Sequence, residues 1–255
     1  TVLNLKGDNK FYIKGADAGT ITLNDINGTV DISADGSIKQ TADGVNNLTS
    51  ITVAATGDVI LDGDNNKFSA VDVGAVGGTF ELKNDSDKLT LNFAEDLSGD
   101  VKINQTGDIE LAGTFSGNTL SLTSRRGNVI STGGLKANKE IDLSVGTFTH
   151  EGEIHTDKLT ISTDNGVTIN NTEIDDCGIG ITLTPTEEKD TTESGPSPWR
   201  IRVERLEIRQ SRVAINMPGD SLYIDAAVRQ ATLQGADVNL PTETYTVDSL
   251  FLHAE

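Results

Sequence analysis

A single cysteine, Cys177, stands in 255 residues, so neither an intramolecular disulfide framework nor a multi-cysteine zinc site can form. Proline is missing from the first 184 positions, and all five prolines fall between Pro185 and Pro241. Aromatic residues make up 4% of the chain and apolar residues 35%, which with 26 glycines does not suit an ordinary packed-core enzyme. Bases are scarce: 20 against 39 acids, a formal charge of −19. That balance argues against a nucleic-acid partner, because phosphate contacts need clustered Lys and Arg. No run of 18 apolar residues occurs, so no transmembrane helix is expected. A 3.6-residue apolar stripe is also missing, which predicts almost no helix.

What bases there are divide unevenly. Lysine occurs eleven times before residue 185 and then only as Lys189, whereas arginine occurs twice before residue 199 and six times after it. Acids exceed bases by 27 to 13 through residue 184 and by 12 to 7 beyond it. A change of basic residue and of proline usage at one place marks a boundary. The chain therefore divides into residues 1–172 and 173–255.

Residues 1–172 alternate strictly over short runs, as in Ile21-Thr-Leu23, Val30-Asp-Ile32, Ile51-Thr-Val53, Leu89-Thr-Leu91, Leu120-Ser-Leu122 and Leu159-Thr-Ile161. Period two means β-strand, with the apolar set inward and Thr, Ser, Asp or Glu outward. Clusters such as Gly15-Ala-Asp-Ala-Gly19 and Asp62-Gly-Asp-Asn-Asn66 separate the runs and supply turn residues. The runs also repeat. Thr56-Gly-Asp-Val-Ile-Leu61 returns as Thr106-Gly-Asp-Ile-Glu-Leu111, and Gly127-Asn-Val-Ile130 is a weaker third copy. A strand–turn unit of roughly 20 residues predicts a stacked β-solenoid of about eight or nine rungs. An antiparallel sandwich of short strands is the alternative.

Gly36-Ser-Ile-Lys-Gln-Thr41, the stretch Leu48–Phe68, Val71-Asp-Val73 and Leu89-Thr-Leu91 resemble the repeats of filamentous-haemagglutinin-type adhesins of the two-partner secretion route. The resemblance spans about two thirds of the chain on a repetitive motif. It implies a right-handed parallel β-helix, a secreted or cell-surface location in a Gram-negative bacterium, and attachment to host or bacterial surface glycans or proteins.

In residues 173–255, the stretch 184–198 has no apolar side chain other than proline and reads as a flexible polar loop. Strands then resume in Trp199-Arg-Ile-Arg-Val-Glu-Arg-Leu-Glu-Ile-Arg209, whose alternation breaks at Glu204-Arg205 as a bulge would break it. Val213-Ala-Ile215, Leu222-Tyr-Ile224 and Tyr245-Thr-Val247 continue the series, with a turn at Met217-Pro-Gly-Asp220. The run Pro198–Val213 with Met217-Pro-Gly-Asp-Ser-Leu222 resembles TamB/AsmA-type envelope proteins. That resemblance implies a curled β-sheet with an apolar groove, a periplasmic or outer-membrane location, and phospholipid or outer-membrane assembly partners. Trp199, Ile201, Val203, Leu222 and Ile224 are the candidate groove residues. Shared strand physics makes a natural mosaic, an artificial joining or one continuous solenoid all feasible.

Other residues carry groups capable of chemistry. Asp58 and Asp108 hold matching places in two repeats, where paired carboxylates could act on a glycan, yet Asp after Gly at a strand start is ordinary turn chemistry. His150 and His155 flank Glu151 and Glu153, and alternation turns His155 toward water. Asp62-Gly-Asp-Asn-Asn66 lacks the downstream Glu of a calcium loop. Arg200, Arg202, Arg205, Arg209 and Arg212 form a basic stripe interleaved with Glu204 and Glu207, which favours ion pairing across strands. Cys177 reads as a small buried apolar residue. No catalytic, metal or cofactor residue is assigned. No signal pattern precedes Thr1, so the chain reads as a mature or excised stretch. The expected function is a non-enzymatic structural or adhesive β-solenoid. The alternatives are a lipid-handling groove protein and a glycan-active β-helix enzyme.

Overall fold

The computed structural model describes residues 2–3, 10–15, 19–24, 26–41, 47–183, 200–217, 222–239, 242 and 244–254. Short alternating runs give short strands, and the strands stack in parallel. On one face lie β1 (Val2–Leu3), β3 (Thr20–Leu23), β5 (Ser37–Gln40), β7 (Val59–Leu61), β10 (Phe80–Asn84) and β12 (Asp100–Gln105). On the other lie β2 (Lys10–Gly15), β4 (Asn27–Ala34), β6 (Asn47–Ala55), β9 (Ala70–Val76), β11 (Lys88–Phe93) and β13 (Asp108–Ala112). The short β8 (Lys67–Phe68) pairs with the start of β6. From there β14 (Phe115–Ser131), β15 (Leu135–His155) and β16 (Lys158–Asp175) run round the corner and serve both faces.

Each strand pairs with one about 20 residues later, as in Val30↔Ile51↔Val71↔Leu91↔Leu111. The result is a parallel β-solenoid of about 8 turns, as the repeats predict. Parallel pairing in every one of these ladders overturns the antiparallel-sandwich alternative. At about 4.8 Å per rung the coil is on the order of 40 Å long.

Inward residues fill the coil. The column just named is at most 2% exposed at any position, and each such Val, Ile or Leu contributes about 1.5–3 kcal/mol over an exposed one. Phe68, Phe80, Phe115 and Phe148 are fully buried among these aliphatic columns. Where a corner buries polar groups, they satisfy one another. Asn84 accepts from the Phe68 amide at 2.7 Å and donates to the Phe68 carbonyl at 2.9 Å and to Gln105 Oε1 at 2.8 Å. Asn66 exchanges 2.7 and 2.8 Å bonds with Gln40 one turn back.

The Thr56–Leu61 echo has an unexpected position. Val59–Leu61 forms β7 on one face, whereas Ile109–Leu111 belongs to β13 on the other. The motif marks a turn leading into a strand and recurs two and a half turns on, so its copies do not stack. Gly127–Ile130, one full turn later, does pair with β13.

β16 runs through residue 172 unbroken and pairs in parallel with β17 (Gly178–Leu183) and β18 (Arg200–Met217). The expected loop 184–198 lies outside the described residues. β18 also pairs in parallel with β17, and then the direction changes. β19 (Leu222–Asn239) returns antiparallel along β18 from Met217↔Leu222 to Arg200↔Asn239, and β20 (Thr244–Thr246) and β21 (Ser249–Ala254) add antiparallel to β19. This is the further sheet segment expected at the C-terminal side; the turn residues 218–221 lie outside the described residues. No bulge occurs at Glu204-Arg205. The ladders to β16 and β19 both keep step there, and the break in alternation is a corner of the coil, so Val203 and Leu206 both face inward on adjoining faces. Among the described residues no helix is long and apolar enough to cross a membrane.

Candidate apolar cavity at the C-terminal end of the coil

Inside the coil, each aliphatic column is closed by the next rung. At the last rungs this closure fails. Ile179 pairs with Val213 and Val213 with Ala226; Ile181 pairs with Ile215 and Ile215 with Ile224. β19 doubles back along β18 and β21 follows it as a flap, and among the described residues no further rung closes the columns beyond them. Exposure rises accordingly from 5% at Ile179 to 43% at Ile224 and 62% at Leu250.

The space left is a cavity of about 430 Å³, walled by Ile, Leu, Val and Ala side chains of β15–β19 and β21. Among the described residues its wall carries no acid, base, nucleophile or hydrogen-bonding side chain. Apolar side chains of this kind keep water from gaining hydrogen bonds along the wall. Ile201, Val203 and Ile224 stand in this wall. Leu222 is paired with Met217 at the hairpin end, its side chain outside the described set, and Trp199 lies outside the described residues. Leu250 and Leu252, on a strand for which the sequence showed no groove signal, complete the rim; their pairing opposite Leu233 and Ala231 turns them inward.

The outer face of the flap is ionic. Arg200 grips Asp237 at 2.9 and 2.6 Å, and Arg212 grips Asp225 at 2.8 and 2.7 Å. These guanidinium bonds hold both carboxyls below their ordinary pKa. Arg209 reaches Glu173 on β16 and Glu207 on its own strand. The arginine stripe is thus spent on pairing across strands and along β18. An open depression of about 680 Å³ lies beside Asp176, Gln210 and Arg212, where Asp176 and Gln210 take φ of 47° and 46°.

The remaining candidates separate. Asp58 and Asp108 sit on opposite faces, each bonded to the backbone amide one turn ahead, Thr79 at 2.9 Å and Asn128 at 2.7 Å. His155 is exposed. His150 is fully buried, stacked on Phe148 at 5.8 Å, and burial lowers its pKa from 6.5 to about 4. Cys177 is 3% exposed, and burial raises its thiol to about 11, so it is not a thiolate near neutrality. Among the described residues, no three His, Cys, Asp or Glu side chains gather to hold a metal. No family model, no curated protein and no solved structure matches this chain.

Proposed function

We propose that the chain is a non-enzymatic structural and adhesive solenoid, presented at the surface of a Gram-negative cell or secreted from it. The observation that carries this reading is the contrast between its two sides. The interior is closed and filled with aliphatic columns over most of the coil. The outside repeats polar groups at rung spacing, as in the column Asn104, Thr123, Ser144, Ser162 and Thr182. Such columns suit repeated hydrogen bonding to an extended polymer, and the resemblance to haemagglutinin-type repeats points the same way. Flowing glycans and host-surface proteins over the immobilised protein tests the adhesive part. Saturable binding weakened by joint Thr123→Ala, Ser144→Ala and Ser162→Ala substitution is expected; no saturable binding to either class would sink it.

The cavity favours a second reading, a lipid-handling groove of the TamB/AsmA kind. Its 430 Å³ fall within the range of about 300–1,000 Å³ usual for small-molecule sites, and the described residues of its wall are all aliphatic. Lipid that co-purifies with the wild type and is lost in Ile224→Glu supports this reading, and a lipid-free wild type opposes it.

A further inference from the structure

Among the described residues with positive φ, five are glycines and the others are Asn171, Asp176 and Gln210. Asn and Asp visit the left-handed region because their short side chains bond the local backbone, and the longer glutamine lacks that compensation. Glycine would adopt the same conformation at position 210 without steric cost. A long side chain held there against that cost points to a use for the side chain itself.

Gln210 has irregular neighbours. Asp176 stands one rung back, its amide bonded to the Arg209 carbonyl at 3.1 Å. Arg229 lies opposite Gln210 on β19, between the pairs Arg209↔Gln230 and Ser211↔Val228. It is also the extra residue where the β19–β21 ladder slips between Val228 and Gln230, and such a bulge re-aims a side chain. These three positions, from three passes of the chain, line the open depression of about 680 Å³ together with Arg212, Ala227 and Val228. That volume falls within the range of about 300–1,000 Å³ usual for small-molecule sites.

The chemistry of the lining narrows the ligand. Arg212 binds Asp225 through Nε and Nη2, which uses two of its five N–H donors and leaves its side chain 72% exposed. The guanidinium groups of Arg212 and Arg229 and the carboxylates of Asp176 and Asp225 sum to no net charge. An anion would meet Asp176 and a chain of charge −19, and a cation would meet both arginines. Hydroxyl groups donate and accept at once, and they match guanidinium donors, a carboxylate acceptor and an amide that does both. Ala227 and Val228 add apolar surface for C–H groups between the hydroxyls.

We propose that this depression binds a neutral saccharide, which accepts hydrogen bonds from Arg212 and Arg229, donates to Asp176 and exchanges both kinds with Gln210. The proposal goes beyond the adhesive reading, which rests on the polar columns of the coil, and stands or falls separately from it.

Proton–nitrogen correlation spectra of the isotope-labelled full chain test it. Titration with glucose, galactose, mannose and N-acetylglucosamine, and with their short oligomers, should give saturable shifts at the side-chain Nε–H signals of Arg212 and Arg229. Gln210→Gly should weaken that binding by about tenfold, roughly the worth of one hydrogen bond, with Tm at or above that of the wild type. Asp176→Asn, which keeps the shape and removes the charge, should weaken it as well and decides alone if Gln210→Gly is destabilised. The joint Thr123→Ala, Ser144→Ala and Ser162→Ala variant should bind at these signals as the wild type does. No saturable shift with any of these sugars overturns the proposal. So does undiminished binding in either folded variant, or displacement of the sugar by equimolar sulfate, which would mark an anion site. Binding lost in the column variant and kept in Gln210→Gly would overturn this site and leave the adhesive reading standing.

Discussion

His150 occupies a mostly aliphatic column, between Leu111 and Ser131 on one side and Ile169 and Val203 on the other. Neither ring nitrogen makes a hydrogen bond of good geometry, and only the backbone of Gly152 and Glu153 lies near enough to favour the charged ring. Its neighbours in register, Ser131 on β14 and Ile169 on β16, bring no charge to the ring. On its own strand Glu151 and Glu153 are exposed, and Glu153 pairs with Lys136 at 3.3 Å. The carbonyls of Gly152 and Glu153 offset the desolvation only in part. A folded pKa below the unfolded one means that the unfolded chain takes up the proton first as pH falls. The neutral ring is therefore tolerated above pH 6.5, and stability is lost between 6.5 and about 4. The loss amounts to about 3 kcal/mol across that window, at ~1.4 kcal/mol per pH unit. Urea unfolding should show this slope in the wild type and not in His150→Leu. Equal slopes for the two proteins would exclude His150 as its source.

Rung-to-rung contact at one corner depends on a column of glycines. Gly57 donates to the Gly36 carbonyl at 2.9 Å, Gly78 to the Gly57 carbonyl at 3.0 Å, and Asn118 to the Gly99 carbonyl at 3.2 Å. The backbones approach so closely that a Cβ on Gly99 would run into the carbonyl oxygen of Gly78. Overpacking of this kind costs about 1–3 kcal/mol. Gly99→Ala should therefore lower Tm, whereas Gly19→Ala, where a Cβ meets nothing within 4 Å, should leave it unchanged. Equal Tm values for the two variants would show that the corner yields freely. The same elements explain why an internal repeat in the sequence can mislead about stacking. A turn followed by a strand starts each half-turn, so matching hexapeptides need not lie on the same face.

Over the whole molecule, a charge of −19 acts against compactness, while cross-rung pairs such as Lys102–Glu81 at 2.6 Å and Lys158–Glu140 at 2.5 Å act for it. Both pairs are exposed and screened, and exposed pairs contribute about 0–1 kcal/mol each. Net repulsion should prevail, so raising NaCl from low to molar concentration is expected to raise Tm. A fall in Tm would show that the ion pairs outweigh the repulsion.

Alternation by itself determined which side chains point inward, from Ile21 to Ile179, because successive residues of a strand face opposite ways regardless of what the strand pairs with. The same period, continued from Phe148, places His150 inward. The repeat length also determined the solenoid, since a strand that cannot bury its inner face alone must be followed by another like it. Only the tertiary structure decided which face each strand joins, that β18 ends the parallel series, and that β19 and β21 leave an apolar cavity at its end. Pairing direction and closure depend on backbone hydrogen bonds between residues far apart in sequence. No local period carries that information, and for this reason Ile201, Val203 and Ile224 could be named as groove candidates while Leu250 and Leu252 could not.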